Sequence, residues 1–162
     1  MKRIWAPWRM KYILDDKTQG CAFCQALQAG DDKAKYIVYR GEKAFIILNT
    51  FPYTNGHLMV VPYTHTGDFV ELDGQTLADM MRLTQKALQA MRQVMSPHGF
   101  NVGLNLGQAA GAGIQDHVHI HIVPRWQNDT NFMPVLADVR VLPESLEDTY
   151  EKLQAALHKL EG

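Results

Sequence analysis

The sequence predicts an α+β fold: a mostly antiparallel, five-stranded sheet with one long helix and a C-terminal helix, as a single domain over residues 1–162. Three observations carry this expectation. The run His117-Val118-His119-Ile120-His121-Ile122-Val123 alternates imidazoles with β-branched apolar residues, which is the period of a strand. From Leu77 to Met95 apolar residues recur at helical spacing instead. A length of 162 residues, 46% of them hydrophobic, suits one buried core.

Taken in order, residues 1–20 show no clear period. Trp5, Trp8, Met10, Tyr12, Ile13 and Leu14 suggest an arm packed on the body or on a second subunit. Cys21 and Cys24 lead into one helical turn at Gln25–Ala29, closed by Gly30, and Asp31-Asp32-Lys33 reads as a solvated turn. Tyr36–Arg40 and Lys43–Leu48 are β-rich runs split by Gly41-Glu42, a hairpin signal. Asn49–Gly56 is a loop with Pro52 and Asn55-Gly56. His57–Val61 is a third strand stopped by Pro62, and Tyr63–Gly67 is a turn carrying His65.

Asp73 is the expected N-cap of a helix over 74–95. Its stripe is Leu77, Met80, Met81, Thr84, Leu88, Met91 and Met95, with the methionines filling the core. It ends before Ser96-Pro97-His98-Gly99. Phe100–Leu106 is the fourth strand, with Asn101 and Asn105 on one face by parity. Gly107–Gly113 is a glycine-rich loop, and His117–Val123 is the fifth strand. Residues 125–141 are loop-like, with a short strand at 138–142. Pro143 opens the last helix, whose stripe is Leu146, Tyr150, Leu153, Leu157 and Leu160.

The formal net charge is −1 and no Lys/Arg-rich run occurs, which argues against a nucleic-acid polymer as partner. A small anionic ligand such as a nucleotide needs only local donors and stays open. No apolar run approaches the ~18 residues of a membrane span. Met1-Lys2-Arg3 is followed by Trp5-Ala6-Pro7-Trp8 rather than an apolar stretch, so no signal peptide is expected and the chain reads as cytoplasmic. In that compartment Cys21 and Cys24 bind metal or do redox chemistry rather than form a structural disulfide.

On a strand, His117, His119 and His121 share one face at intervals of about 6.6–7 Å, while Val118, Ile120 and Ile122 face a core. A row of imidazoles is a poor core and an odd solvent face, so it points to function. Imidazole is a nucleophile, a proton carrier or a metal ligand near neutral pH, and the row alone does not choose among these. His98 and His158 read as surface residues, and Asp116 as a turn residue.

The triad resembles the signature of the histidine-triad (HIT) family. Further matches lie in the family's order: Asn49 before a Pro-containing loop, Gly56-His57-Leu58-Met59-Val60-Val61-Pro62, and Asn105 with the glycine-rich loop. The resemblance covers Cys21 to Arg125. Pro124-Arg125-Trp126 with Asp129-Thr130-Asn131-Phe132-Met133-Pro134 is further similar to a bacterial branch that includes diadenosine tetraphosphate phosphorylases.

The resemblance implies cleavage of dinucleoside polyphosphates, or other nucleoside monophosphate conjugates, at the α-phosphorus. It makes His119 the nucleophile of a covalent nucleoside monophosphate intermediate. His121 and His57 would hold phosphate oxygens, Asn49 the ribose, and Asn105 nucleoside or phosphate. Gly111 and Gly113 would offer backbone N–H groups to phosphate. One departure stands out. Several family members carry Gln, then Ser or Thr, four and three residues before the first triad histidine, where this chain has Gly113 and Ile114. Gln115 or Gln108 could supply the missing donor, and Arg125 and Trp126 could face phosphate or base. The acceptor, water or inorganic phosphate, stays open between hydrolase and phosphorylase.

In zinc-bearing relatives a Cys-x-x-Cys joins two histidines, which here implies structural zinc on Cys21, Cys24, His65 and His117. A reading from another class is a nucleotide-binding protein with structural zinc and little catalysis, in which His57 and the triad form a metal cluster. HIT proteins of this size imply a homodimer.

Overall fold

The computed structural model describes residues 20–129 and 141–160. The N-terminal arm, Asn131–Pro134 and residues 138–140 of the expected short strand lie outside the described residues. Residues 141 and 142 are not in a strand.

The sheet is built from β1 (Ile37–Arg40), β2 (Ala44–Leu48), β3 (Leu58–Pro62), β4 (Gly99–Leu104) and β5 (Ile120–Arg125). All neighbours run antiparallel in the order β1-β2-β3-β5-β4. β2 and β3 are buried along their whole length, which explains their unbroken apolar runs: both sheet faces are covered. α1 (Ala22–Gln28) covers one face, packing Phe23 and Ala26 on Phe45, Ile47, Met59 and Val61. α2 (Gly74–Met95) and α3 (Leu146–Lys159) cover the other, over Ile46, Val60, Ile120 and Ile122. None of the described helices is long and apolar enough to cross a membrane.

α2 has the bounds the periodicity predicts, and the Asp73 carboxylate accepts from the Thr76 N–H as its cap. Its buried stripe differs in detail. Met80 and Met91 are core, but Met81 is 56% exposed, and Leu83, Ala87 and Ala90 are buried in its stead. A buried carboxylate on α2 escaped the pattern: Asp79 accepts from the Lys43 and Ala44 N–H groups at 2.7 and 3.2 Å, clamping the β1–β2 turn. α1 is longer than the single turn expected, starting at Ala22. α3 starts at Leu146 rather than at Pro143, because Ser145 is its N-cap and accepts from the Asp148 N–H.

β5 corrects the expected strand over His117–Val123. The ladder begins at Ile120 and continues to Arg125. Before it, the chain leans on the Thr66 turn, where the Val118 N–H donates to the Thr66 carbonyl at 2.8 Å. Gly67 is needed for that approach, since a Cβ there would lie 2.4 Å from the Gln115 carbonyl oxygen. Pro124 is tolerated because β3 stops pairing at Leu58 opposite Ile122, so no ladder donor is required on that side. The alternation survives: Val118, Ile120 and Ile122 enter the helix-side core. β4 likewise ends at Leu104, leaving Asn105 just past the strand.

Candidate active site and metal-ligand cluster

The three triad imidazoles and His57 lie on the sheet face away from α2 and α3, and their hydrogen bonds define which nitrogen of each carries the proton. His117 Nε2 lies 2.8 Å from the Pro62 carbonyl and must donate to it, leaving Nδ1 with a lone pair. His119 is tied by the opposite nitrogen. Its Nδ1 donates to the His117 carbonyl at 2.9 Å, so the lone pair sits on Nε2. His57 Nδ1 accepts from the Tyr53 N–H at 3.1 Å, with the Asn49 side-chain amide 3.3 Å away. Its Nε2–H is then the donor in the 2.9 Å contact with His121 Nδ1. His121 is left with its proton on Nε2.

Burial disfavours the imidazolium in the three triad rings. It lowers the pKa of His117 and of His119, the latter despite its bond to the His117 carbonyl. His121 is pushed down to about 4, by burial first and then by His119. All three rings are thus held toward the neutral form. The rings also pack: His119 and His121 are edge-on at 4.7 Å, and Tyr53 lies 4.7 Å from His57 and 5.9 Å from His121. His119 is only 5% exposed, whereas His121 is half-buried and borders an open groove lined in part by Tyr53, Asn101, Asn105 and Arg125.

The first histidine faces another set of partners. Cys21 and Cys24 Sγ lie 3.2 and 3.7 Å from His117 Nδ1. His65 Nδ1 is 3.4 Å from Cys24 Sγ and 3.3 Å from His117 Nδ1. All four ligand atoms fall within 4.8 Å of one another. A tetrahedron with Zn–N and Zn–S bonds of ordinary length has an N···N edge of about 3.3 Å and N···S edges of about 3.5 Å. The set Cys21, Cys24, His65 and His117 thus fits a four-coordinate zinc shell in both chemistry and spacing. Both cysteines are free thiols, and burial followed by Cys21 raises the Cys24 pKa. Asp116 stands in the turn as expected, with its carboxylate 3.7 Å from His65 Nε2.

The remaining expected residues are placed less simply. The Asn49 side-chain oxygen Oδ1 accepts from the Phe51 N–H at 2.8 Å, so part of the amide's capacity shapes the loop. Asn105 donates to the Ala110 carbonyl and closes the glycine-rich loop, in which Gly107 and Gly111 both have φ near +80°. Gly113 has open space around it, and Gln115 and Gln108 are exposed. Arg125 lines the groove with its guanidinium already engaged. Its guanidinium is held by Asp129 at 2.6 and 2.9 Å and by Asn101 at 2.8 Å. Trp126 is partly buried, and its Nε1–H lies 3.4 Å from the Met95 carbonyl. His98 and His158 are exposed. Two residues were missed, Tyr53 and Phe23. An aromatic in a loop and an apolar residue inside Cys-x-x-Cys both read as packing.

The HIT domain profile matches residues 31–128. An AP-4-A phosphorylase of Mycobacterium tuberculosis is 39% identical over 158 residues, covering 92% of this chain and 80% of that protein. An uncharacterized HIT-like protein of Saccharolobus solfataricus is 31% identical, over 85% of this chain and 94% of its own. Among solved structures, a Zn-bound histidine triad family protein from Mycobacterium smegmatis superposes with a TM-score of 0.71 at 31% identity. It covers 88% of this chain and 96% of that one.

Proposed function

The chain belongs to the HIT family, and from that premise we propose that it is a nucleotidyl hydrolase or transferase that cleaves dinucleoside polyphosphates, diadenosine tetraphosphate first among them, through His119. One observation carries the reading: the His117 carbonyl holds the Nδ1–H of His119, which leaves a neutral Nε2 lone pair beside the His57–His121 relay. Nε2 attacks the α-phosphorus, the bond to the leaving nucleotide oxygen breaks, and a nucleoside monophosphate stays on His119. The His121 Nε2–H donates to a phosphoryl oxygen as charge builds there. His57 fixes that proton by occupying His121 Nδ1. Asn49 contacts the ribose. Asn105 and the backbone of Gly111 and Gly113, with Gln115 at the loop's end, contact phosphate.

The acceptor then attacks phosphorus and frees His119. The AP-4-A phosphorylase relative favours inorganic phosphate over water in this step. A structural zinc on Cys21, Cys24, His65 and His117 is supported by the tetrahedral spacing and by the Zn-bound relative. Bound there, it supplies a cross-link between α1 and the triad, outside the reaction. Two thiols kept as a ligand pair fit a reducing, cytoplasmic setting. A homodimer is supported by β4, an edge strand whose Val102 and Leu104 are 46% and 36% exposed.

Intact mass after mixing with diadenosine tetraphosphate tests the mechanism. The wild type gains one adenylate and His119→Ala gains none. An adduct on His119→Ala, or full activity in that variant, defeats it. Turnover that yields ADP only when phosphate is added identifies a phosphorylase, and AMP formation in its absence identifies a hydrolase.

A further inference from the structure

We propose that Phe23 positions the reactive imidazole, making α1 a clamp that joins the Cys/His cluster to His119. This rests on the reading of His119 as nucleophile.

Phe23 lies between Cys21 and Cys24 in sequence and is almost fully buried. Its ring stands edge-on to two triad imidazoles at once: 5.4 Å and 83° from His117, and 5.0 Å and 63° from His119. The bond from His119 Nδ1 to the His117 carbonyl selects the tautomer. A single hydrogen bond still lets the ring pivot about the N–H···O line. Phe23 and His121 close two sides of that pivot, with His121 edge-on at 4.7 Å. The ring is thus held by backbone at one nitrogen and by two aromatic neighbours.

α1 cannot hold Phe23 in place by itself. It has seven residues, and its N-cap Cys21 makes no side-chain capping bond. It is held by burial of Phe23 and Ala26 and by the sulfurs of Cys21 and Cys24 against His117 and His65. Removing a metal held by the cluster would therefore loosen the same clamp that removing the phenyl ring does. A misplacement of about 1 Å at a reacting atom costs on the order of 100-fold in rate.

The test compares the full-length zinc-loaded wild type with Phe23→Leu, which keeps most of the volume, and Phe23→Ala. Adduct formation from diadenosine tetraphosphate is followed in a single turnover, beside zinc content, thermal midpoint and the imidazole 15N spectrum. In Phe23→Leu the adduct should form about tenfold more slowly with KM within about threefold, zinc retained, and the His119 Nδ1–H resonance weakened. Chelated wild type should show the same weakened resonance. An unchanged rate and resonance in Phe23→Leu overturns the proposal. So does loss of zinc from both variants, which makes Phe23 a support of the cluster alone. If the wild type forms no adduct, the nucleophile reading fails, and the His119 resonance in Phe23→Leu still decides whether Phe23 positions that ring.

Discussion

His117 and His119 lie two residues apart on the same side of the sheet and touch the same phenyl ring. Yet they are tied down by opposite nitrogens. Pro62 takes the Nε2 proton of His117 and turns Nδ1 toward two sulfurs and a second imidazole. The carbonyl of His117 takes the Nδ1 proton of His119 and leaves Nε2 for chemistry. Side-chain type is therefore not what would separate the proposed ligand from the proposed nucleophile. The choice is made by which backbone oxygen each ring meets: that of Pro62 at the end of β3, and that of His117 in the stretch before β5 that the Val118 N–H ties to Thr66.

The largest expected effect breaks this comparison from both ends. His119→Ala should lower turnover by more than about 10³-fold while zinc stays at one per chain. Cys21→Ser should weaken zinc by more than about 100-fold, since it removes a ligand and not merely a supporting group. Turnover assays and metal analysis of both proteins check the pair. Zinc lost from His119→Ala would merge the two histidines into one metal cluster and remove the distinction.

How much of this was legible beforehand follows from the same contrast. Strand alternation placed the three imidazoles on one face, and the structure keeps them there even though the ladder starts only at Ile120. The helix over 74–95 was legible because its cap, stripe and stop all lie within local sequence. What was not legible depends on distant backbone. Nothing near His117 in sequence announces the Pro62 carbonyl, and nothing near Lys43 announces Asp79. Nor does the sequence announce the partners of Arg125, because Asn101 and Asp129 are brought to it by the β4–β5 pairing and the turn beyond. Phe23 and Tyr53 look like packing in any local reading, and their contacts with imidazoles exist only in three dimensions.

A medium effect sharpens the contrast through pH. His121, packed against His57, His119 and Tyr53, stays neutral down to about 4 in the folded chain, against about 6.5 for an unfolded imidazole. Between those values the unfolded state binds more protons, so His121 lowers stability as pH falls through that window. The contribution is level above about 6.5 and again below about 4. The midpoint of unfolding, followed from pH 7 to pH 4.5, should therefore fall less in His121→Asn than in the wild type. Equal slopes would show that His121 is not held neutral by its surroundings.

The smallest effect concerns the glycine-rich loop, where Gly113 stands at the position that several family members fill with Gln. A Cβ at Gly113 meets nothing within 4 Å, and the backbone there needs no left-handed conformation. Gly113→Gln should therefore leave stability within about 0.5 kcal/mol of the wild type. Its amide restores a donor at the position four residues before His117. A hydrogen bond to a charged oxygen is worth about 1.5–3 kcal/mol when well formed, and an exposed loop realises only part of that. Turnover of diadenosine tetraphosphate in Gly113→Gln should accordingly rise about three- to tenfold in kcat/KM. An unchanged value would mean that the loop already supplies that donor, from its backbone or from Gln108 or Gln115. The departure at 113 would then be a change of atoms without a change of chemistry.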